Sequence, residues 1–220
     1  MYNYRPISLL TSFPNIFERV MQTRILKHLT KYNILHIEQY GFRIGLKTHN
    51  AMYTLTTEIL NAMNNKLIVG GIFWDPEKAF DCVDHGILLS KLNFYGINGK
   101  DQALYQSYLE NRYFRTAIYN NSNNSNKVTN WAKVRHGVPP GYVLGPLLFL
   151  RHINELPKEI NKTSAPIIFV DDTSILFTHS NLICFYNNTH IVFETLNKWF
   201  KVNQRQITYT LQVAEICQST

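Results

Sequence analysis

Cysteine is scarce in this chain: Cys82, Cys184 and Cys217 are the only three in 220 residues. An odd number at such wide spacing supports neither a disulfide framework nor a zinc motif. It fits a reducing, intracellular compartment, with nucleus and cytoplasm left open. Long apolar runs are missing too. None could span a bilayer, and the N-terminus lacks a signal-peptide pattern, so no membrane partner is expected. Acidic residues are few, 15 against 22 Lys and Arg, which leaves a formal charge of +7 and a pI of about 9.3. The shortage is sharpest in residues 1–50, where Arg5, Arg19, Arg24, Lys27, Lys31, Arg43 and Lys47 face only Glu18 and Glu38. This balance suits a polyanionic partner such as nucleic acid, although basic globular proteins without that role are common.

What is present reads as globular. Hydrophobic residues make up 45% and aromatics 13%, and the length suffices for one sizeable core or two small subdomains. No repeat or linker divides the chain. Ser12 and Pro14 signal a helix start, and Ile16, Phe17, Val20, Met21, Ile25 and Leu29 continue at helical spacing to about Tyr32. Arg19, Lys27 and Lys31 fall on its outer side, as a solvated face or as contacts to a nucleic-acid backbone. Thr48 can cap a second helix carrying Met52, Leu55, Ile59 and Met63. Further helices are expected over His85–Tyr95, Gln102–Leu109, from Gly145-Pro146, and over Leu182–Phe200. Strands are expected over Leu67–Trp74, Tyr113–Tyr119 and Asn130–His136, the last two flanking an Asn-rich tip. Pro166–Val170 and Ser174–Phe177 read as a hairpin turning at Asp171-Asp172. The elements imply a mixed layer with helices on one face of the sheet.

Two short apolar runs end abruptly in aspartate: Ile72-Phe73-Trp74-Asp75 and Ile167-Ile168-Phe169-Val170-Asp171-Asp172. Such runs read as buried strands, and strand ends are where a sheet places its chemistry. An Asp-Asp pair alone is a common solvated turn. Three carboxylates gathered from two strand ends would form a hard-oxygen site suited to Mg²⁺.

The surrounding blocks are more specific. They are Tyr4-Arg5-Pro6-Ile7-Ser8-Leu9-Leu10, Gln39-Tyr40-Gly41-Phe42-Arg43, Asp75-Pro76-Glu77-Lys78-Ala79-Phe80-Asp81, and Gly137-Val138-Pro139-Pro140-Gly141-Tyr142-Val143-Leu144-Gly145-Pro146. In this order they resemble the reverse transcriptase of non-LTR retrotransposons, most closely the jockey-like group, over about Tyr2 to Asn203. The resemblance implies an α+β fold: the fingers (1–66) and palm (67–203) of a right-hand polymerase, an antiparallel sheet packed on helices with the thumb missing. It implies RNA-directed DNA polymerisation, adding dNTPs to a DNA primer on an RNA template. Asp75, Asp171 and Asp172 would be the catalytic and metal-binding carboxylates for two Mg²⁺ ions, or Mn²⁺, with Asp172 the weaker ligand. Arg43 would grip the triphosphate. The backbone of Lys78 and Ala79 would face it, and Phe80 would exclude a ribose 2′-hydroxyl. Pro140 and Gly141 would line the nucleotide. Asp81, Asp84 and His85 read as capping and structural.

The chain departs from the family in places. Pro140 stands where a glutamine positions the nucleotide sugar, and proline offers no side-chain hydrogen bond. Tyr142 replaces a small residue, and Pro76 follows the first aspartate. Arg151 and His152 interrupt a normally apolar helix, and a buried, unpaired Arg there would be costly. Residues 204–220 match nothing expected, as after a frameshift. A catalytically dead, nucleic-acid-binding remnant is therefore the alternative to an active polymerase.

Overall fold

The computed structural model describes residues 12–43, 45–76, 79–120, 125–138, 143–160, 162–203 and 209–217. Two long helices open it, α1 (Ser12–Lys31) and α2 (Thr48–Asn64). Strand β1 (Ile68–Pro76) follows, then a 3₁₀ turn (Ala79–Cys82), α3 (His85–Phe94) and α4 (Gly99–Leu109). A ribbon of short strands comes next: β2 (Tyr113–Phe114), β3 (Ala117–Asn120), β4 (Ser125–Val128) and β5 (Ala132–Lys133). The chain continues through α5 (Gly145–Ile153), α6 (Leu156–Ile160), β6 (Ala165–Phe169), β7 (Asp172–His179), α7 (Leu182–Asn203) and β8 (Tyr209–Cys217).

The main sheet has the order β6-β7-β1-β8, and each neighbouring pair is antiparallel. Strand alternation sorts its side chains onto two faces. Ile72 and Trp74 of β1, Ile168 of β6, and Ile175 and Phe177 of β7 enter the large core, which the α3, α5 and α7 side chains complete. There Trp74 stacks on Phe200, ring centroids 3.7 Å apart. The other face carries Ile167 and Leu176, which pack with Ala51, Leu55 and Ile59 of α2. Helices thus cover both faces, not one as the sequence suggested. The stripe Ala51, Leu55 and Ile59 is what gives α2 an apolar side to bury there.

Most element boundaries follow the sequence periodicity, with instructive differences. Only the second half of the α1 stripe is buried: Met21, Ile25 and Leu29 are enclosed, while Ile16, Phe17 and Val20 are exposed. Thr48 begins α2 but does not cap it; the Lys47 N–H donates to Asn50 Oδ1 at 2.9 Å instead. Asp84 does cap α3, accepting from the Ile87 N–H at 3.0 Å. The ribbon is broken into two ladders, β2 with β5 and β3 with β4. Residues 209–217 supply the edge strand β8. No helix among the described residues is long and apolar enough to cross a membrane.

Candidate active site

The β6–β7 hairpin turns one residue earlier than the sequence implied. Phe169 pairs with Asp172, so Val170 and Asp171 form the turn and Asp172 is already in the strand. Val170 has φ 63°, whereas Asp171 is not in the left-handed region, the sign pattern of a type II′ turn. Glycine usually holds that first position, and a β-branched residue there is strained. Such strain persists only where the surroundings impose it.

The one-residue shift decides which carboxylates meet. Trp74 of β1 pairs with Thr173 of β7. The next step of the antiparallel register sets Asp75 opposite Asp172. Alternation puts Asp75 with Phe73, and Asp172 with Ser174, on the face covered by α2. Both carboxylates accordingly line a cleft of about 470 Å³ between that face and α2. Its other walls include Thr48, Met52, Phe73 and Phe169. Asp75 and Asp172 are exposed, and Asp171 is half-buried at the apex of the turn. Like charges directly across a ladder repel, so this end of the cleft favours a cation.

Among the described residues, no three or more His, Cys, Asp or Glu side chains stand close enough together to enclose a metal ion. Mg²⁺ does not require such a cage. It is commonly held by one or two carboxylates, with waters and substrate phosphates completing its shell. Exposed, hard-oxygen donors at adjacent strand ends beside an open cleft fit that mode.

The other expected site residues are placed unevenly. Phe80 is half-buried with its ring 4.6 Å from that of Phe149. Its carbonyl accepts from the Val138 N–H at 2.8 Å, and Ala79 is fully enclosed. Lys78, Pro140 and Gly141 lie outside the described residues. Arg43 is half-buried, and its Nη1 donates to the carbonyls of His36 at 2.7 Å and Gln39 at 3.3 Å. Part of its fork therefore orders its own loop. The guanidinium has five N–H donors, which leaves capacity for a ligand.

Two polar residues that the sequence reading passed over hold this region together. Glu18 of α1 is 1% exposed. Its Oε2 accepts from the N–H groups of Val143 at 2.8 Å and Leu144 at 3.3 Å, and its Oε1 from the Tyr108 hydroxyl at 2.8 Å. A buried carboxylate thus anchors the start of α5, where a helix N-terminus favours negative charge. Burial, reinforced by the Glu18 charge, pushes the Tyr108 hydroxyl well above its usual range. Gln39 does similar work at the aspartate turn. The one signal in the sequence is that Gln39 opens the Gln39-Tyr40-Gly41-Phe42-Arg43 block; Glu18 lies outside every such block.

The ribbon forms a second surface. Tyr113, Phe114, Ile118, Val128 and Trp131 are exposed on it, and the Arg115 guanidinium lies 4.8 Å from the Trp131 ring centre. Residues 111–136 contain Arg112, Arg115, Lys127, Lys133 and Arg135 and no Asp or Glu.

Comparison with known proteins gives a consistent picture. Residues 1–213 match the family described as reverse transcriptase (RNA-dependent DNA polymerase). The chain is 37% identical over 161 residues to the probable RNA-directed DNA polymerase from transposon BS of Drosophila melanogaster, a match covering 70% of this chain and 16% of that protein. It is 31% identical over 182 residues to the corresponding X-element protein of the same fly, covering 83% and 18%. The polymerase from its mobile element jockey is 28% identical over 205 residues, covering 90% and 21%. The chain thus spans only about a fifth of these relatives or less. Among solved structures, apo telomerase from Candida tropicalis superposes with a TM-score of 0.59 at 13% identity, covering 93% of this chain and 37% of that one. That identity bears on the fold alone, and the fold is that of a polymerase fingers and palm.

Proposed function

Because the chain belongs to the reverse transcriptase (RNA-dependent DNA polymerase) family, with jockey-like elements among its relatives, we propose that it carries the nucleotide-adding centre of a non-LTR mobile-element polymerase. The observation that carries this reading is the pairing of β1 with the aspartate hairpin, which sets Asp75 and Asp172 at one end of a cleft with Asp171 at the turn. The substrates would be dNTPs and a DNA primer on an RNA template. Asp75, Asp171 and Asp172 would hold divalent metal. The metal, two Mg²⁺ ions in this family, supplies activation of the primer hydroxyl and charge neutralisation on the triphosphate. The chain's own part is to place these carboxylates rigidly on paired strand ends and to keep the apolar floor of the cleft against the nucleotide. Phe80, held on Phe149, would set the shape of the sugar site. Arg43 would add a charge-assisted grip on the phosphates.

Primer extension tests the reading. Purified chain, an RNA template and a DNA primer are expected to give Mg²⁺- or Mn²⁺-dependent product that Asp171→Asn removes. A folded chain that binds nucleic acid and extends nothing would instead support the binding remnant.

The ribbon favours nucleic-acid binding under either reading. Exposed aromatics interleaved with cations stack bases and neutralise phosphates. Trp131→Ala is expected to weaken binding of a labelled single-stranded RNA by roughly 1–3 kcal/mol, read by fluorescence anisotropy. Wild-type binding should also fall steeply with salt. Unchanged affinity in the variant would move the RNA off the ribbon.

A further inference from the structure

The aspartate turn is held from outside its own hairpin. Gln39 lies in the loop between α1 and α2 and is 2% exposed. Its Oε1 accepts two backbone N–H groups at once, from Val170 at 3.1 Å and from Gly41 at 2.8 Å. The loop also runs alongside β6 as a short parallel bridge. The Ile168 N–H donates to the Glu38 carbonyl at 2.9 Å, and the Tyr40 N–H to the Ile168 carbonyl at 2.8 Å. Contact is so close at Gly41 that a Cβ there would stand 2.4 Å from Val170 Cγ2 and 2.7 Å from Val170 N. The same loop carries Arg43, whose Nη1 bonds the carbonyls of His36 and Gln39.

We propose that Gln39 is a positioning residue for the aspartate turn: its side-chain oxygen holds the Val170–Asp171 turn in place and ties it to the loop that carries Arg43. Three observations converge on this. Val170 sits at φ 63°, which a valine does not adopt unaided, and its N–H is satisfied by Gln39. The amide orientation is unambiguous, because two donors converge on one atom and only the oxygen can accept both. The other end of the amide, Nε2, is buried with no hydrogen-bond partner among the described residues. An apolar side chain of similar length would avoid leaving that group unpaired, so the oxygen is the part of the residue the site uses. The consequence is mechanical: the loop that carries Arg43 and the turn that carries Asp171 are joined through one side-chain oxygen.

The part of this inference that concerns catalysis rests on the polymerase reading above; the part that concerns the turn does not. Gln39→Met keeps the shape and removes the acceptor. Gln39→Glu keeps the acceptor and replaces the unpaired donor with a second carboxylate oxygen. Residue-resolved amide exchange is the first readout. In Gln39→Met, exchange at Val170 and Asp171 is expected to quicken about tenfold or more while Ile72 and Leu176 in the sheet stay protected. Gln39→Glu is expected to restore slow exchange. Should Gln39→Met not fold, Gln39→Asn withdraws the oxygen by one methylene and takes its place with the same outcomes. Exchange that is unchanged, or that rises equally throughout the sheet, would overturn the proposal. Primer extension is the second readout. The kcat is expected to fall about 10²-fold in Gln39→Met with little change in KM for dNTP, and to recover in Gln39→Glu, as for a misplaced reacting group. If wild-type chain extends no primer, the polymerase reading fails and the exchange result still decides the role of Gln39.

Discussion

Gly137→Ala is expected to cost the fold more than about 3 kcal/mol, a large share of the stability a domain of this kind possesses. Gly137 stands at φ +86°, where an L side chain is strained by roughly 1–2 kcal/mol. A Cβ there would also lie 2.8 Å from Asp81 Cα, 2.9 Å from its carbonyl oxygen and 3.1 Å from its carbonyl carbon. These are backbone atoms with no rotamer by which to withdraw. Retreat of the glycine is blocked as well. Its N–H donates to the Val83 carbonyl at 2.8 Å, the next N–H, of Val138, donates to the Phe80 carbonyl at 2.8 Å, and the His85 ring bonds the Gly137 carbonyl at 2.8 Å. Relieving the overlap would break several hydrogen bonds, each worth about 1 kcal/mol net. Gly45→Ala is the matched control: φ there is +82°, but nothing lies within 4 Å of the added carbon. It is expected to cost only the backbone strain. Urea denaturation of both variants separates the two contributions. Equal losses would mean that the approach to Asp81 does not matter. The effect bears on function because the same contact docks the segment after the ribbon onto the residues following Asp75.

These contacts show which parts of the chain are legible in its sequence. Apolar runs and helical spacing are local signals, and they located β1, β6, β7 and the long helices to within a few residues. The strand-end aspartates were legible for the same reason, since a run that stops at a charge marks an end. The turn was misplaced by one residue because Asp-Asp looks like the polar turn, whereas strand pairing carries through Asp172 and strains Val170 instead. The covering of the second sheet face by α2 was missed because its apolar stripe does not say which surface it meets. The roles of Glu18 and Gln39 had no periodic signal at all. Each is a single polar side chain with a decisive partner more than a hundred residues away, Val143 for one and Val170 for the other.

A fall in stability of about 2 kcal/mol between pH 6.5 and pH 5 is expected from His152 alone. This residue and its neighbour Arg151 stand on α5, both fully enclosed. The sequence marked them as anomalies in an apolar helix, and the structure shows how far they are accommodated. Arg151 lies over the Tyr95 ring and donates Nη2 to the Lys91 carbonyl at 3.4 Å, while its Nε and Nη1 find no partner among the described residues. Burial lowers its pKa to about 10, so it still carries its charge at neutral pH. Lys91 donates to the His152 carbonyl at 2.6 Å and pairs with Glu155 at 3.2 Å. The His152 ring is influenced by the charges of Lys91 and Asp84 and by the Asn203 backbone, with Trp199 edge-on at 6.2 Å. Burial first, and the Lys91 charge second, lower its pKa from 6.5 to about 3; the Asn203 backbone and Asp84 oppose this and are outweighed. The unfolded chain takes up this proton below about pH 6.5 and the folded chain does not, so stability falls as pH drops and the loss levels off only near pH 3. Each pH unit within that window costs about 1.4 kcal/mol. Melting temperatures of wild type and His152→Leu at pH 7.5 and pH 5 test this. The variant is expected to lose less on acidification, by several degrees for a chain of this length. An equal loss in both proteins would assign the acid sensitivity to other groups.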